Sequence, residues 1–498
     1  MSEPAGGVTG APGGGPDGVL VGAAGAAPSG AAERGPDEST ASGGVEEFGY
    51  TQQLSRVLTL KDLVIYGLLF MVITAPFAIF GEVHLASDGM VPFVYLVGLV
   101  AMLFTAASYA QMSRRFPIAG SVYAYVGRGI NPHIGFFAGW LVLIDYILIP
   151  ALLYGFSGVW CHDLVPAIPV WAWVLLFVVL NTTITFRGIK FTAIVDWVFF
   201  GLEIAAVAVF IVFGLVYVLG PGAATTQLSN PLSPLWDPSK INLGFIATAA
   251  SIACLSFLGF DGISTLAEET KKPERTVGRA TFLSLLFIGV IFIGSTWVGE
   301  LVWGGRPIED EDLFSTTGFF QATEMAGGAW LRLFVYLVVI IATAIPNAVA
   351  AQSAITRILF SMSRDKLMPG FMSRIHPRFK TPYLAILFIG AFTCAAAFIP
   401  SMQLVMFVNF GGLSSFIVLN FTVFWFFFVR EGRRRTAKDW FTYLLAPFIG
   451  MFILGYVWSG FDGLTKIVGF SWLAVGIVVG AVRTKGFKQV PPAFQLSG

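Results

Sequence analysis

Charge is scarce in this chain. Only 12% of its 498 residues are Asp, Glu, Lys or Arg, and 56% are hydrophobic, where a soluble protein carries roughly 25% and 45–50%. So few charges cannot cover a water-facing surface, and lipid has to solvate much of it. A net charge of +1 gives no basis for nucleic acid as a partner. The three cysteines, Cys161, Cys254 and Cys394, stand apart in apolar surroundings, without a C-x-x-C pair or a disulfide framework. The four histidines, His84, His133, His162 and His376, show no metal-ligand spacing. With no nucleophile–base pair and no cofactor motif, the composition argues against an enzyme.

Long apolar runs are what the chain has instead. Residues 1–55 are rich in Gly, Ala, Pro and Ser, too poor in apolar groups to offset chain entropy, so a disordered tail is expected there. A transmembrane domain is expected over 56–485, followed by a short tail at 486–498. Its apolar runs lie at 61–83, 91–113, 135–160, 169–187, 192–219, 243–266, 279–303, 330–357, 383–400, 402–429, 440–458 and 465–483. Each is near the length a helix needs to cross about 30 Å of hydrocarbon. Twelve alternating spans put 23 Lys and Arg on one face and leave Lys240, Arg306, Arg332 and Lys466 on the other. That asymmetry predicts a multi-pass protein of the cell membrane with both termini cytoplasmic.

Two spans contain breaks. The first holds Pro76 within 71–81, and the sixth holds Gly259 and Gly262 beside Asp261. If 61–219 and 243–429 are inverted repeats, with 440–483 an added helix pair, the breaks occupy equivalent positions. Matched interruptions mark where a carrier exposes backbone to its solute.

Several stretches carry a resemblance. They are Phe-Gly at 80–81 with Ala-Ser-Asp-Gly-Met-Val-Pro at 86–92, and Phe-Pro-Ile-Ala-Gly-Ser-Val-Tyr-Ala-Tyr at 116–125. Ile-Asn-Pro-His-Ile-Gly-Phe follows at 130–136, Phe-Asp-Gly-Ile-Ser-Thr-Leu-Ala-Glu-Glu at 260–269, and Arg-Ile-Leu-Phe-Ser-Met-Ser-Arg-Asp-Lys at 357–366. In these the chain resembles the amino acid–polyamine–organocation superfamily of permeases, and within it the putrescine importers and amino acid permeases. The resemblance implies an all-α membrane protein of twelve helices, a five-plus-five inverted repeat with helices 1 and 6 broken, working by alternating access.

The acids at membrane depth are Asp145, Asp196, Glu203 and Asp261, and no Lys or Arg lies well inside any span. An ionised acid at a helix centre costs about 2.5–3.5 kcal/mol on insertion scales. The remedies are a proton, a water-filled cavity, or a cation that arrives with the cargo. Asp196, about one turn inside its span, reads first as a residue facing the cytoplasmic headgroups, and Asp261 equally as an acceptor for broken backbone.

The expected substrate site comprises Thr74, Pro76, Phe77, Tyr109, Asp145, Ser256, Gly259, Phe260, Asp261 and Gly262, with Glu203 carrying the coupling proton. Aromatic rings such as Phe77, Tyr109, Tyr146 and Phe260 can attract an ammonium group. The glycine-poor break at 74–78 offers few amides to a substrate carboxylate. The expected cargo is therefore a putrescine-like amine, with an amino acid as the alternative. Proton coupling is expected, with sodium coupling or exchange left open, as are monomer and homodimer.

Overall fold

The computed structural model describes residues 56–220, 222, 225–364 and 366–488, the side chains of 189–196 excepted. The expected tail at 1–55, residues 489–498 and the Asp196 side chain fall outside the described residues. What is described is helical, with one isolated bridge between Leu58 and Thr270.

The first span comes as two halves, α1 (Leu60–Phe70) and α2 (Ala75–Ser87), bent by 44°. α3 (Val91–Arg115), the short α4 (Ser121–Gly129), α5 (Pro132–Leu164), α6 (Val170–Arg187) and α7 (Ile189–Leu219) follow. The sixth span opens as α8 (Leu243–Ala253) and continues as 3₁₀ turns over Cys254–Phe257 and Phe260–Glu269. Next come α9 (Pro273–Trp303), α10 (Glu311–Gly327), and α11 (Ala329–Ala342), joined through a π-turn at Thr343–Asn347 to α12 (Ala348–Arg364). α13 (Tyr383–Ala396), α14 (Ser401–Val423), α15 (Ala437–Trp440), α16 (Ala446–Ser459) and α17 (Gly463–Arg483) complete the chain.

Among the described residues ten helical stretches, the interrupted sixth span included, are long and apolar enough to cross a membrane, and the bent pair makes an eleventh. The expected ninth span is the shorter α13, of 14 residues.

Both expected breaks are present. In the first span the turn falls at 71–74, with Val72 at φ 59°. Pro76 then sits in the first turn of α2, where its missing N–H would have had no helical partner in any case. The proline thus starts the second half of the span and meets no preceding helical turn. In the sixth span Gly259 takes φ 110°, open to glycine at little cost. The broken spans lie side by side, α1 along 260–269 and α2 along α8, the antiparallel relation an inverted repeat produces.

Two helices lie in segments expected to be loops. α4 is buried along its whole length, and α10 packs across α2, α7 and α9. Small residues bring the helices close, as in membrane bundles generally. A Cβ on Gly278 would come within 2.7 Å of the Ala110 side chain where α9 crosses α3, and Gly411 sits against the α5 backbone. Trp140 and Trp472 stack at 4.7 Å, each indole N–H donating to the other's carbonyl at 2.8 Å.

Gly81 gives the fold a direct test. A Cβ there would lie 2.0 Å from the Phe314 carbonyl oxygen, and backbone cannot swing aside as a side chain can. Gly81→Ala should force α10 off α2 and destabilise the protein by about 1–3 kcal/mol, read as a lower unfolding temperature in detergent. An unchanged temperature would show that this contact is not tight.

Candidate functional site

The polar centre of the bundle is built on Asp261, just past the Gly259 turn. Its Oδ2 accepts hydrogen bonds from the Tyr146 hydroxyl and, at 3.2 Å, from the Ser121 hydroxyl. Tyr109 meets the same Ser121 oxygen at 3.2 Å. The Gly259 and Asp261 amides face the carboxyl, yet Oδ1 has no hydrogen bond among the described residues.

Asp145, on the α5 turn that carries Tyr146, differs. It is 1% exposed, and neither of its oxygens has a hydrogen-bond partner among the described residues. It packs beside Leu258 and Gly412, where a Cβ would approach Oδ2 to 3.0 Å. The charge that acts on Asp145 is that of Asp261; no basic group among the described residues acts on either. Two buried carboxyls thus share one region without a resident cation.

Above them lies a cavity of about 50 Å³, lined by residues including Phe70, Met71, Thr74, Ile149, Leu258 and Thr343. That is room for a few waters, between mostly apolar walls. Ile149 stands one helical turn from Asp145 on the same face of α5. Phe70 divides cavity from acids: its ring meets Tyr146 edge-on at 5.8 Å. A Cβ on Gly262 would strike that ring at 2.2 Å, and one on Gly259 would reach Phe70 at 3.0 Å. Both glycines therefore make room for Phe70 as well as loosening the sixth span.

Glu203, on α7, is wholly buried at the other break. The Ile73 and Thr74 amides and the Asn347 side chain face it, but none reaches hydrogen-bond geometry. Both Glu203 oxygens, both Asn347 side-chain polar atoms and the Thr74 hydroxyl have no partner among the described residues. The other amides described at this break, those of Met71, Val72, Ala75 and Phe77, are bonded to backbone carbonyls. A resident carboxyl therefore faces the amides at each break, Glu203 at the first and Asp261 at the second.

The remaining expected residues are placed as follows. Thr74 lines the cavity, while Pro76 and Phe77 do not. Phe77 stacks on Phe319 of α10 at 3.7 Å and packs near Phe210 of α7, part of an aromatic plug on the side of the bundle where α10 lies. Phe260 is held between Tyr109 at 5.5 Å and Phe416 at 5.1 Å. Ser256 pairs with Tyr95 at 2.9 Å.

At the opposite end, Glu269 pairs with Arg357 at 3.0 Å and Glu268 with Arg364 at 3.4 Å. Ser121, Asn347, Phe70 and Phe319 were not foreseen as site residues. Asn347 left a signal, an amide beside Pro346 within an apolar run, and Ser121 another, a hydroxyl beside Gly120 in a stretch already singled out.

Comparison with known proteins agrees with this architecture. The family model described as amino acid permease matches residues 68–473. The low-affinity putrescine importer PlaP of Escherichia coli (strain K12) is 34% identical over 448 residues, covering 89% of this chain and 97% of its own. The branched-chain amino acid permease BcaP of Bacillus subtilis (strain 168) is 27% identical, covering 75% of this chain and 81% of its own. A methylthioribose transporter of the same organism is 26% identical, covering 86% and 93%. Among solved structures, MhsT in complex with L-phenylalanine aligns with a TM-score of 0.57 at 13% identity, over 82% of this chain and all of that one, a likeness of fold alone.

Proposed function

The chain belongs to the amino acid permease family, whose members are membrane transporters, and we propose that its cargo is a small organic amine, taken up by alternating access with a proton. One observation carries the amine: Asp145, buried, with both oxygens unpaired and no basic group acting on it among the described residues. A carboxylate in that position is costly until a cation arrives, and an ammonium group supplies charge and N–H donors together.

The placement of the break amides supports the same reading. The Ile73 and Thr74 amides face Glu203, and those of Gly259 and Asp261 face the Asp261 carboxyl, which leaves fewer to hold a substrate carboxylate. The putrescine importer at 34% identity favours a diamine. The Ile73 and Thr74 amides that face Glu203 suit a carboxyl that exchanges a proton. The basic face of the bundle is read as cytoplasmic from the Lys and Arg asymmetry.

A second reading rests on the cavity wall. Ile149, Leu152, Leu153, Leu255 and Leu258 would suit the side chain of an aliphatic amino acid. Unfolding temperature measured with added ligand separates the two, since a ligand at 100 times its Kd stabilises by about 2.7 kcal/mol. Putrescine should raise the temperature and leucine should not; the reverse result would favour the amino acid.

A further inference from the structure

We infer that Arg114, Arg275 and Arg279 form a binding site for a phosphate group at the basic face of the bundle, filled by the headgroup of an anionic phospholipid. These three arginines and Glu274 line an open pocket of about 410 Å³ where α3 ends and α9 begins. The helices can meet there because Gly278 rests against Ala110. Arg114 lies one turn beyond Ala110, and Arg275 and Arg279 flank Gly278.

The charge in this pocket is left uncompensated. Among the described residues, Arg114, Arg275 and Arg279 make no ion pair, whereas Arg115, Arg357 and Arg364 of the same face pair with Glu431, Glu269 and Glu268. Glu274 does not neutralise them: it forms no ion pair, and its buried Oε2 has no hydrogen-bond partner among the described residues. Three guanidinium groups against one carboxylate leave two positive charges facing each other. Arg275 also stands in the first turn of a 31-residue helix, at the positive end of its dipole, where a cation is disfavoured. An oxyanion between the guanidinium forks reverses each of these costs and finds bidentate donors ready.

The neighbouring surface favours a lipid over free phosphate. From Arg279 the outer face of α9 continues as Phe282, Leu283, Leu286 and Phe287, exposed by 42–47%. A phosphate held by the arginines would have its acyl chains on that apolar track. The site is independent of the cargo proposed above, but α9 also packs on α1 and on 260–269, so an occupant would brace both broken spans.

The test uses the full chain in neutral detergent, with phosphatidylglycerol, phosphatidylcholine or inorganic phosphate added and binding read by native mass spectrometry and unfolding temperature. Phosphatidylglycerol should bind and stabilise, and phosphatidylcholine should not. Each Arg→Gln change should weaken binding about fivefold, and the triple variant on the order of a hundredfold. The lipid-free triple variant should unfold no earlier than the parent, because repulsion is relieved. Glu274→Gln should bind more tightly, a sign that no purely structural role predicts. A control pair, Arg434→Gln with Arg435→Gln, should bind as the parent does. The site is refuted if the triple variant binds normally or the control pair loses as much. Protection by inorganic phosphate equal to that by phosphatidylglycerol would overturn the lipid assignment.

Discussion

Asp145→Asn should remove amine uptake while leaving the protein folded. Breaking a buried charge pair by deleting one partner costs about 3–5 kcal/mol, so uptake at low substrate should fall on the order of a hundredfold or more. The cost should appear only with cargo present, since neither Asp145 oxygen bonds to any described protein group. The empty variant should therefore unfold no earlier than the parent, so that a loss of folding cannot mimic the effect.

Asp261→Asn should behave differently. It gives up charge-assisted bonds from Tyr146 and Ser121, each worth about 1.5–3 kcal/mol, and so should destabilise the empty protein as well. Uptake assays in proteoliposomes, paired with unfolding temperatures, distinguish the two acids. Parent-like putrescine uptake by Asp145→Asn would remove the basis for an amine cargo.

The contrast between these acids also marks how far the sequence could be read. The spans and both breaks were legible because they are local: runs of apolar residues, and a Pro or Gly within them, determine what the backbone near them can do. The membrane-depth acids stood out against an apolar background for the same reason. What surrounds them was not legible, because it comes from distant parts of the chain. Asp261 Oδ2 accepts from Ser121 and Tyr146, 140 and 115 residues away, and Ser256 pairs with Tyr95, 161 residues away.

α10 was hidden for another reason. Its acids read as a solvent loop, yet Asp310 caps the helix by accepting from the Leu313 amide, and Glu311 and Asp312 fill its first turn, where the dipole favours negative charge. Phe319 then reaches Phe77, so an aromatic residue expected to touch cargo also packs against α10. Phe260, held between Tyr109 and Phe416, makes the same point. Aromatic identity alone does not tell a packing ring from a binding one.

Glu203→Gln should separate transport from its driving force. With one proton carried per cargo molecule, a pH difference of one unit is worth about 1.36 kcal/mol, enough for roughly tenfold accumulation. That task is the one proposed for Glu203, which faces the Ile73 and Thr74 amides at the point where the first span bends, with Asn347 of the π-turn beside it. A change of charge there acts on the joint between α1 and α2, the halves that must move relative to each other if access alternates. Gln keeps the volume and one acceptor oxygen but cannot take up or release the proton. The variant should therefore still exchange labelled for unlabelled amine across proteoliposomes, while its pH-driven accumulation falls from roughly tenfold to none. Accumulation equal to the parent's would show that Glu203 only braces the bend, and loss of exchange together with accumulation would place it in the transport path without assigning it the proton. Accumulation that follows a sodium gradient and ignores pH would transfer the coupling role from the proton to a metal cation.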